Sequence, residues 1–269
     1  MDYLFAPDRW EWLFSGNSLG FLLEGLLVNI ELALITMALS LVFGLLLALA
    51  RTAKNPVVSG PAGIWIDVWR NLPLIFILLY LSLSIPGPWK EAYQDAAPTW
   101  LPEAFQNGRI LAAIMGLTLY NSAVIAEIMR AGILSLERGQ GEAAAALGLP
   151  YWKSMRLVIL PQGLRRMVPA TVSQLITLNK DTTLISILSI QEVMRHGRIL
   201  GSCLPFTCGV EVPLLQVFLV VGAMFAILNY GLSRLSRRLE IKQRETTGIE
   251  VEKVTGLEDQ VRLETDTTR

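Results

Sequence analysis

The chain has 269 residues, 52% of them hydrophobic and 17% charged, with a mean hydropathy of +0.47 and no formal net charge. Soluble domains carry about 25% charged residues, so the composition excludes an ordinary soluble protein and predicts one that crosses a membrane several times. Balanced charge gives no case for a nucleic-acid partner; what matters is how the charges divide between loops.

Met1–Ser18 has no basic n-region and is interrupted by Asp2, Asp8 and Glu11, so no cleavable signal peptide is expected. Trp10, Trp12 and Phe14 suit a segment at the lipid–water boundary. A helix needs about 20 apolar residues to cross the hydrocarbon. Five segments qualify: Leu26–Ala50, Ile64–Ile85 with a kink at Pro73, Ile110–Ile128, Val168–Ile190 and Leu214–Leu232. The fourth is the most polar, with Asn179, Lys180 and Asp181 at its centre.

The loops orient these spans. Arg51 and Lys54 follow the first; Arg130, Arg138, Lys153, Arg156, Arg165 and Arg166 lie around the junction of the third and fourth; Arg234, Arg237, Arg238, Lys242 and Arg244 follow the fifth. The opposite side has Arg9, Lys90, Arg109, Arg195 and Arg198. The excess of basic residues predicts an outside N-terminus and a cytoplasmic C-terminus. The expected division is an extracytoplasmic or interfacial segment 1–25, a transmembrane domain 26–232 with a cytoplasmic loop 137–166, and a polar tail 233–269, partly disordered from Ile241 onward. Pro86–Gly108, rich in Pro, Trp and acidic residues, reads as an outer cap or short helix. There is no internal repeat.

Within the basic loop, Glu137–Leu147 is a strong helix by propensity, with Glu142 and four consecutive alanines. Gly148 fits the left-handed position just past a helix end, and Pro150 fits the first turn of the next. Pro161 and Pro169 break the segment again. Two readings stand on spacing alone: a docking elbow for a soluble partner, or a solvated hairpin joining two spans.

Glu142-Ala143-Ala144, three residues, Gly148, nine residues, Val158, one residue, Leu160-Pro161 resembles the EAA loop of ABC-importer permeases, with valine for the usual isoleucine. Arg70–Leu74 is similar to the Arg-Gly/Asn-Thr-Pro-Leu segment of the polar amino-acid permeases, with Leu72 for Thr. Tyr120–Arg130, Leu160–Arg166 and Lys180–Leu184 match further segments, so the likeness runs from about Asn29 to Glu192. The resemblance implies an all-α polytopic permease of the type I ABC importer fold, with five transmembrane helices, in the inner membrane of a bacterium. It implies a second permease (a second copy or a paralogue), two cytoplasmic ATPase subunits and an extracytoplasmic amino-acid-binding protein. ATPase coupling would fall to Glu142, Ala143, Ala144, Gly148, Leu160 and Pro161. The chain contains no G-x-x-x-x-G-K-[ST] phosphate loop. ATP and Mg would therefore belong to the partner ATPase, and this chain would be a transport subunit and not an enzyme, binding no cofactor or metal itself.

Polar residues inside the spans carry open alternatives. Asn179, Lys180, Asp181 and Thr182 either line the translocation path or form a buried network between spans. Asn121 and Ser122 either contact substrate or bond helix to helix. Glu127 and Arg130 read as a structural i,i+3 pair, and Arg70 as snorkelling to headgroups. Cys203 and Cys208 are either a small-loop disulfide or free thiols, and His196 reads as a surface residue. Two other functions compete: an ion-coupled secondary transporter, which often shows internal repeats, and a membrane assembly protein with no transport path. The pattern around Tyr120–Ser122 and Lys180–Thr182 looks closest to permeases for glutamate, glutamine and aspartate.

Overall fold

A backbone in hydrocarbon finds no water to bond, so a chain this apolar satisfies its main chain within helices. The computed structural model describes residues 6–14, 16–136, 138–202 and 212–246, and these contain helices and turns but no strand. A 3-10 turn (Pro7–Trp10) and a short helix (Glu11–Phe14) lead into α1 (Ser18–Thr52). Then come α2 (Pro56–Asn71), α3 (Leu74–Ser84), α4 (Gly87–Ala96), a turn of helix at Glu103–Gln106, and α5 (Ile110–Leu134). Pro86–Gly108, expected as an outer cap or short helix, contains α4 and that turn of helix. Next are α6 (Arg138–Ala146), a short helix Tyr151–Ser154, a π-turn Met155–Ile159, and α7 (Leu160–Asp181). A 3-10 stretch Thr182–Leu188, α8 (Val193–Gly201) and α9 (Leu214–Thr246) complete the described chain.

Among the described residues, three helices are long and apolar enough to cross a membrane: α1, α5 and most of α9. The expected span Ile64–Ile85 is two helices, α2 and α3, meeting at 101°. Pro73 does more than kink it. Leu72 is held extended, at φ −82° and ψ 137°, as the residue before a proline prefers, so α2 ends and α3 restarts in a new direction. α2 itself begins where Asn55 accepts the Val57 N–H at 2.9 Å, with Pro56 at its first position. The expected span Val168–Ile190 is the second half of α7 continued by the 3-10 stretch. α9 runs without a break past Leu232 and through Ile241 to Thr246.

The core rests on α1, which packs along α5 and, at its start, on α8. Small residues permit this. A Cβ on Gly44 would lie 2.6 Å from Ile125 Cγ2 and 3.0 Å from the Ser122 carbonyl; one on Gly25 would lie 2.7 Å from the Val193 N and Cα. One buried cluster joins α1, α2, α3, α5, α7 and the 3-10 stretch. A second gathers Trp12, Leu22, Leu26, Val193, Val217 and Val221 at the N-terminal end of α1. Of the residues expected at the lipid–water boundary, Trp12 is fully buried inside the protein, while Phe14 is exposed.

Gly25→Ala is expected to destabilise the protein by about 1–3 kcal/mol, the usual cost of overpacking against atoms that cannot yield. Gly60→Ala, where a Cβ meets nothing within 4 Å, is expected to be neutral or to stabilise by about 0.5–1 kcal/mol. Thermal unfolding in detergent compares the two.

Candidate functional site: the elbow and the polar seam

α6 ends in a Schellman motif. The Leu149 N–H donates to Ala144 O at 3.1 Å and the Gly148 N–H to Ala145 O at 2.9 Å. Gly148 holds φ +71°, where a side chain would be strained. Pro150 then opens the next helix, with Ser154 N–H bonded to its carbonyl at 3.0 Å. The chain widens into the π-turn just before Pro161, which has no N–H to return to Leu157. Glu142, Ala143, Gly148 and Pro161 are exposed, Leu160 is half-buried and Ala144 is buried under the turn. Large apolar side chains project beside them: Leu147 is 80% exposed, Trp152 70% and Leu157 64%.

The elbow is fixed at its base. Tyr151 Oη donates to Thr52 O at 3.4 Å and its ring lies 5.4 Å from Lys54 Nζ, so the elbow and the loop after α1 share one end of the molecule. Arg166 donates to Ser135 O at 2.7 Å, and Gly163 lies so close to Ile133 that a Cβ would be 3.3 Å from its Cα. Glu127 and Arg130 pair at 3.2 Å on α5, as their spacing predicts.

Asn121, Asn179 and Thr182 are bonded to other helices. Asn121 accepts from Gln174 Nε2 at 2.8 Å and donates to its own helix at Leu117 O, joining α5 to α7. Ser122 bonds back to Leu119 O at 2.9 Å. Asn179 donates to Asn229 Oδ1 at 3.4 Å, and Ser173 meets Ser236 at 3.2 Å, joining α7 to α9. Lys180 is exposed and Asp181 half-buried at the end of α7. Arg70 is exposed. Cys203 and Cys208 lie outside the described residues.

A second group forms where α7, α8 and α1 meet. Asn29 donates from Nδ2 to Thr182 Oγ1 at 2.9 Å and to Glu192 Oε2 at 3.1 Å, and its Oδ1 accepts the Val193 N–H at 3.2 Å. Thr182 donates on to Asn179 O at 2.7 Å. Glu192 caps α8, accepting the N–H groups of Met194 at 3.0 Å and Arg195 at 2.8 Å. Asn29, Thr182 and Glu192 are fully buried. His196 is also buried, contrary to the surface position expected: its Nδ1 sits 2.6 Å from Phe21 O and its ring stacks on Phe21 at 3.8 Å. Alongside lies a cavity of about 440 Å³ lined by Glu24, Glu31, Glu103, Gln191 and His196 among others. Burial raises the Glu192 carboxyl from 4.5 to about 7, against the opposing pull of the Met194 and Arg195 N–H groups, the Asn29 amide and the Arg198 charge. Sequence reasoning missed Asn29, Gln174, Glu192 and Asn229 as partners. The available signal was Asn29 itself, an amide inside an apolar run.

Residues 40–245 match the family described as binding-protein-dependent transport system inner membrane component. The probable glutamine ABC transporter permease protein GlnP of Bacillus subtilis is 34% identical over 230 residues, 86% of this chain and 97% of the relative. The glutamate/aspartate import permease protein GltK of Escherichia coli is 30% identical over 227 residues, 84% of this chain and 95% of the relative. A crystal structure of an amino acid ABC transporter with histidines superposes with a TM-score of 0.65 at 25% identity, covering 83% of this chain and 94% of that one. The inward-facing MetNI methionine ABC transporter gives 0.66 at 19% identity, covering 85% and 99%, a likeness of fold. The fold is therefore that of a type I ABC importer permease, a transport subunit and not an enzyme. The chain belongs to the family of binding-protein-dependent transport system inner membrane components, among the amino-acid ABC-transporter permeases.

A double-mutant cycle on Asn121→Ala and Gln174→Ala is expected to return a coupling of about 0.6–2 kcal/mol in the stability of the purified chain, the range for interhelical bonds in membranes. A carboxyl raised on folding contributes stability that is present below its ordinary range and lost as pH rises through its folded value. The wild type is therefore expected to melt lower at pH 8 than at pH 5, and Glu192→Gln to reduce that difference.

Proposed function

We propose that this chain is the membrane-spanning half of an importer for acidic or neutral polar amino acids, of the glutamate, glutamine and aspartate kind. A second permease completes the path, an extracytoplasmic binding protein delivers the solute, and two cytoplasmic ATPase subunits, which hold ATP and Mg, grip the elbow. The observation that carries this reading is the Gly148 elbow, an exposed apolar surface on a base bonded to α1 and α5. Such a surface fits a groove on a soluble partner. The GlnP and GltK relatives support the substrate class.

In this reading the protein sits in a bacterial inner membrane with the elbow and C-terminus inside, an orientation supported by the basic residues around the elbow. Five spans follow if the α2–α3 pair and α7 with its 3-10 extension each count as one. Glu142 and the first turns of the elbow meet the ATPase; Leu160 and Pro161 begin α7 and pass the displacement to it. Asn121, Ser122, Asn179, Lys180, Asp181 and Thr182 are the side chains from which the path would be built, with Lys180 the most open to a solute. The chain divides into segment 1–25, the transmembrane domain 26–232 with the loop 137–166, and the tail 233–269.

Gly148→Pro removes the N–H that bonds Ala145 O and forbids φ +71°. It is expected to abolish uptake of radiolabelled glutamine and glutamate and to release the ATPase in a pull-down, with the amount of chain in the membrane unchanged. Unimpaired uptake would remove the docking assignment.

A further inference from the structure

The 3-10 stretch between α7 and α8 is 7 residues long, whereas such runs rarely exceed three or four and, within a longer helical path, often mark a hinge. Ser189, directly after it, holds φ +59°, a left-handed conformation that costs a residue with a side chain. A weak helix followed by a strained turn is a place where the chain bends.

One side chain from another helix spans this place. The Asn29 amide bonds Thr182, the first residue of the stretch, and Glu192 and Val193, which lie beyond its end. Asn29 sits on the face of α1 that also carries Phe21 and Gly25, the face pressed on α8. Every side-chain polar atom of Asn29, Thr182 and Glu192 is bonded, so the ring of contacts has no slack. An amide is suited to the position because it donates twice and accepts at once. At its far end α1 also meets the elbow, through Thr52 and Tyr151.

We propose that Asn29 is a positioning residue for translocation: its amide holds the two ends of the 182–189 hinge together, so that displacement of α7 moves α8 as one body and is not absorbed between them. The role in translocation rests on the importer reading above; the hinge itself does not.

The test uses the full-length chain in lipid nanodiscs, with hydrogen–deuterium exchange expressed as protection factors. Asn29→Ala is expected to lower protection of residues 185–201 at least tenfold while 138–166 keeps its wild-type value. Asn29→Asp sets a second carboxyl against Glu192, and two such groups at hydrogen-bond distance do not both ionise. Its protection is expected to be lost at pH 8 and to return at pH 5.5, where the pair shares a proton. Adding Glu192→Gln, whose amide donates to the new carboxylate and gives up only the bond from the Met194 N–H while its oxygen still caps Arg195, is expected to restore most of the protection at pH 8. The charged and titratable residues on the surrounding elements are Glu24 and Glu31 of α1, Glu103, Lys180 and Asp181, and Arg195, His196 and Arg198 of α8. All are kept in every variant, and the pH response is read against the wild type.

In cells, Asn29→Asp is expected to reduce the maximal rate of radiolabelled glutamine and glutamate uptake at least tenfold at neutral pH, with KM and membrane content unchanged, and the double variant to recover it. Unchanged protection in Asn29→Ala, or a loss spread evenly over the chain, overturns the hinge. Full uptake by Asn29→Asp despite lost protection overturns the positioning role. A wild type that carries neither amino acid overturns the substrate reading, and the exchange results still decide the hinge.

Discussion

α1 comes within backbone distance of two other helices, and the rest of the molecule is arranged around that approach. In lipid, helices gain little from hiding apolar surface from one another; close packing and interhelical hydrogen bonds hold them together. Gly44 lets α1 lie on α5, and Gly25 lets it lie on α8, because in both places a Cβ would occupy space already filled by the neighbour. The two buried clusters both include α1 residues, so the helix is common to them. Its polar side chains take part where the backbones meet: Asn29 toward the α7–α8 junction, and Ser40 toward Thr118 O at 3.5 Å on α5.

α7 is the second organising element, and its connections differ from those of α1. Interhelical side-chain bonds run from it to α5 at Gln174 and to α9 at Ser173 and Asn179, while its first turns are locked to the end of α5 by Gly163 and Arg166. A helix bonded in this way moves with its neighbours or not at all. The elbow feeds directly into it through the π-turn, so a pull on the exposed surface at Leu147, Trp152 and Leu157 has a continuous covalent and hydrogen-bonded route into the bundle.

Much of this was readable from local chemistry. The apolar runs at Leu26–Ala50, Ile110–Ile128 and Leu214–Leu232 announced their helices because length and composition alone set that preference. Gly148 and Pro150 announced the elbow because each residue fits few other backbone positions. Glu127 and Arg130 announced their pair because they are one turn apart. The errors share a cause. The burial of Trp12 and the burial of His196, which looked superficial, were hidden because amphipathic residues suit either place and the partners that cover them, Val217 and Phe21, are far away in sequence. Pro73 signalled a kink, but its size, 101° between α2 and α3, depends on what each helix packs against.

From the order of residues alone follow the membrane class, the family resemblance, the presence of the long apolar helices and the shape of the elbow, since all are governed by neighbours within a few positions along the chain. The fold decided which polar residues meet. Asn29 and Glu192 are 163 positions apart, and Asn121 and Gln174 are 53 apart. A buried hydrogen bond is set by the three-dimensional approach of two helices, and no local pattern encodes that distance.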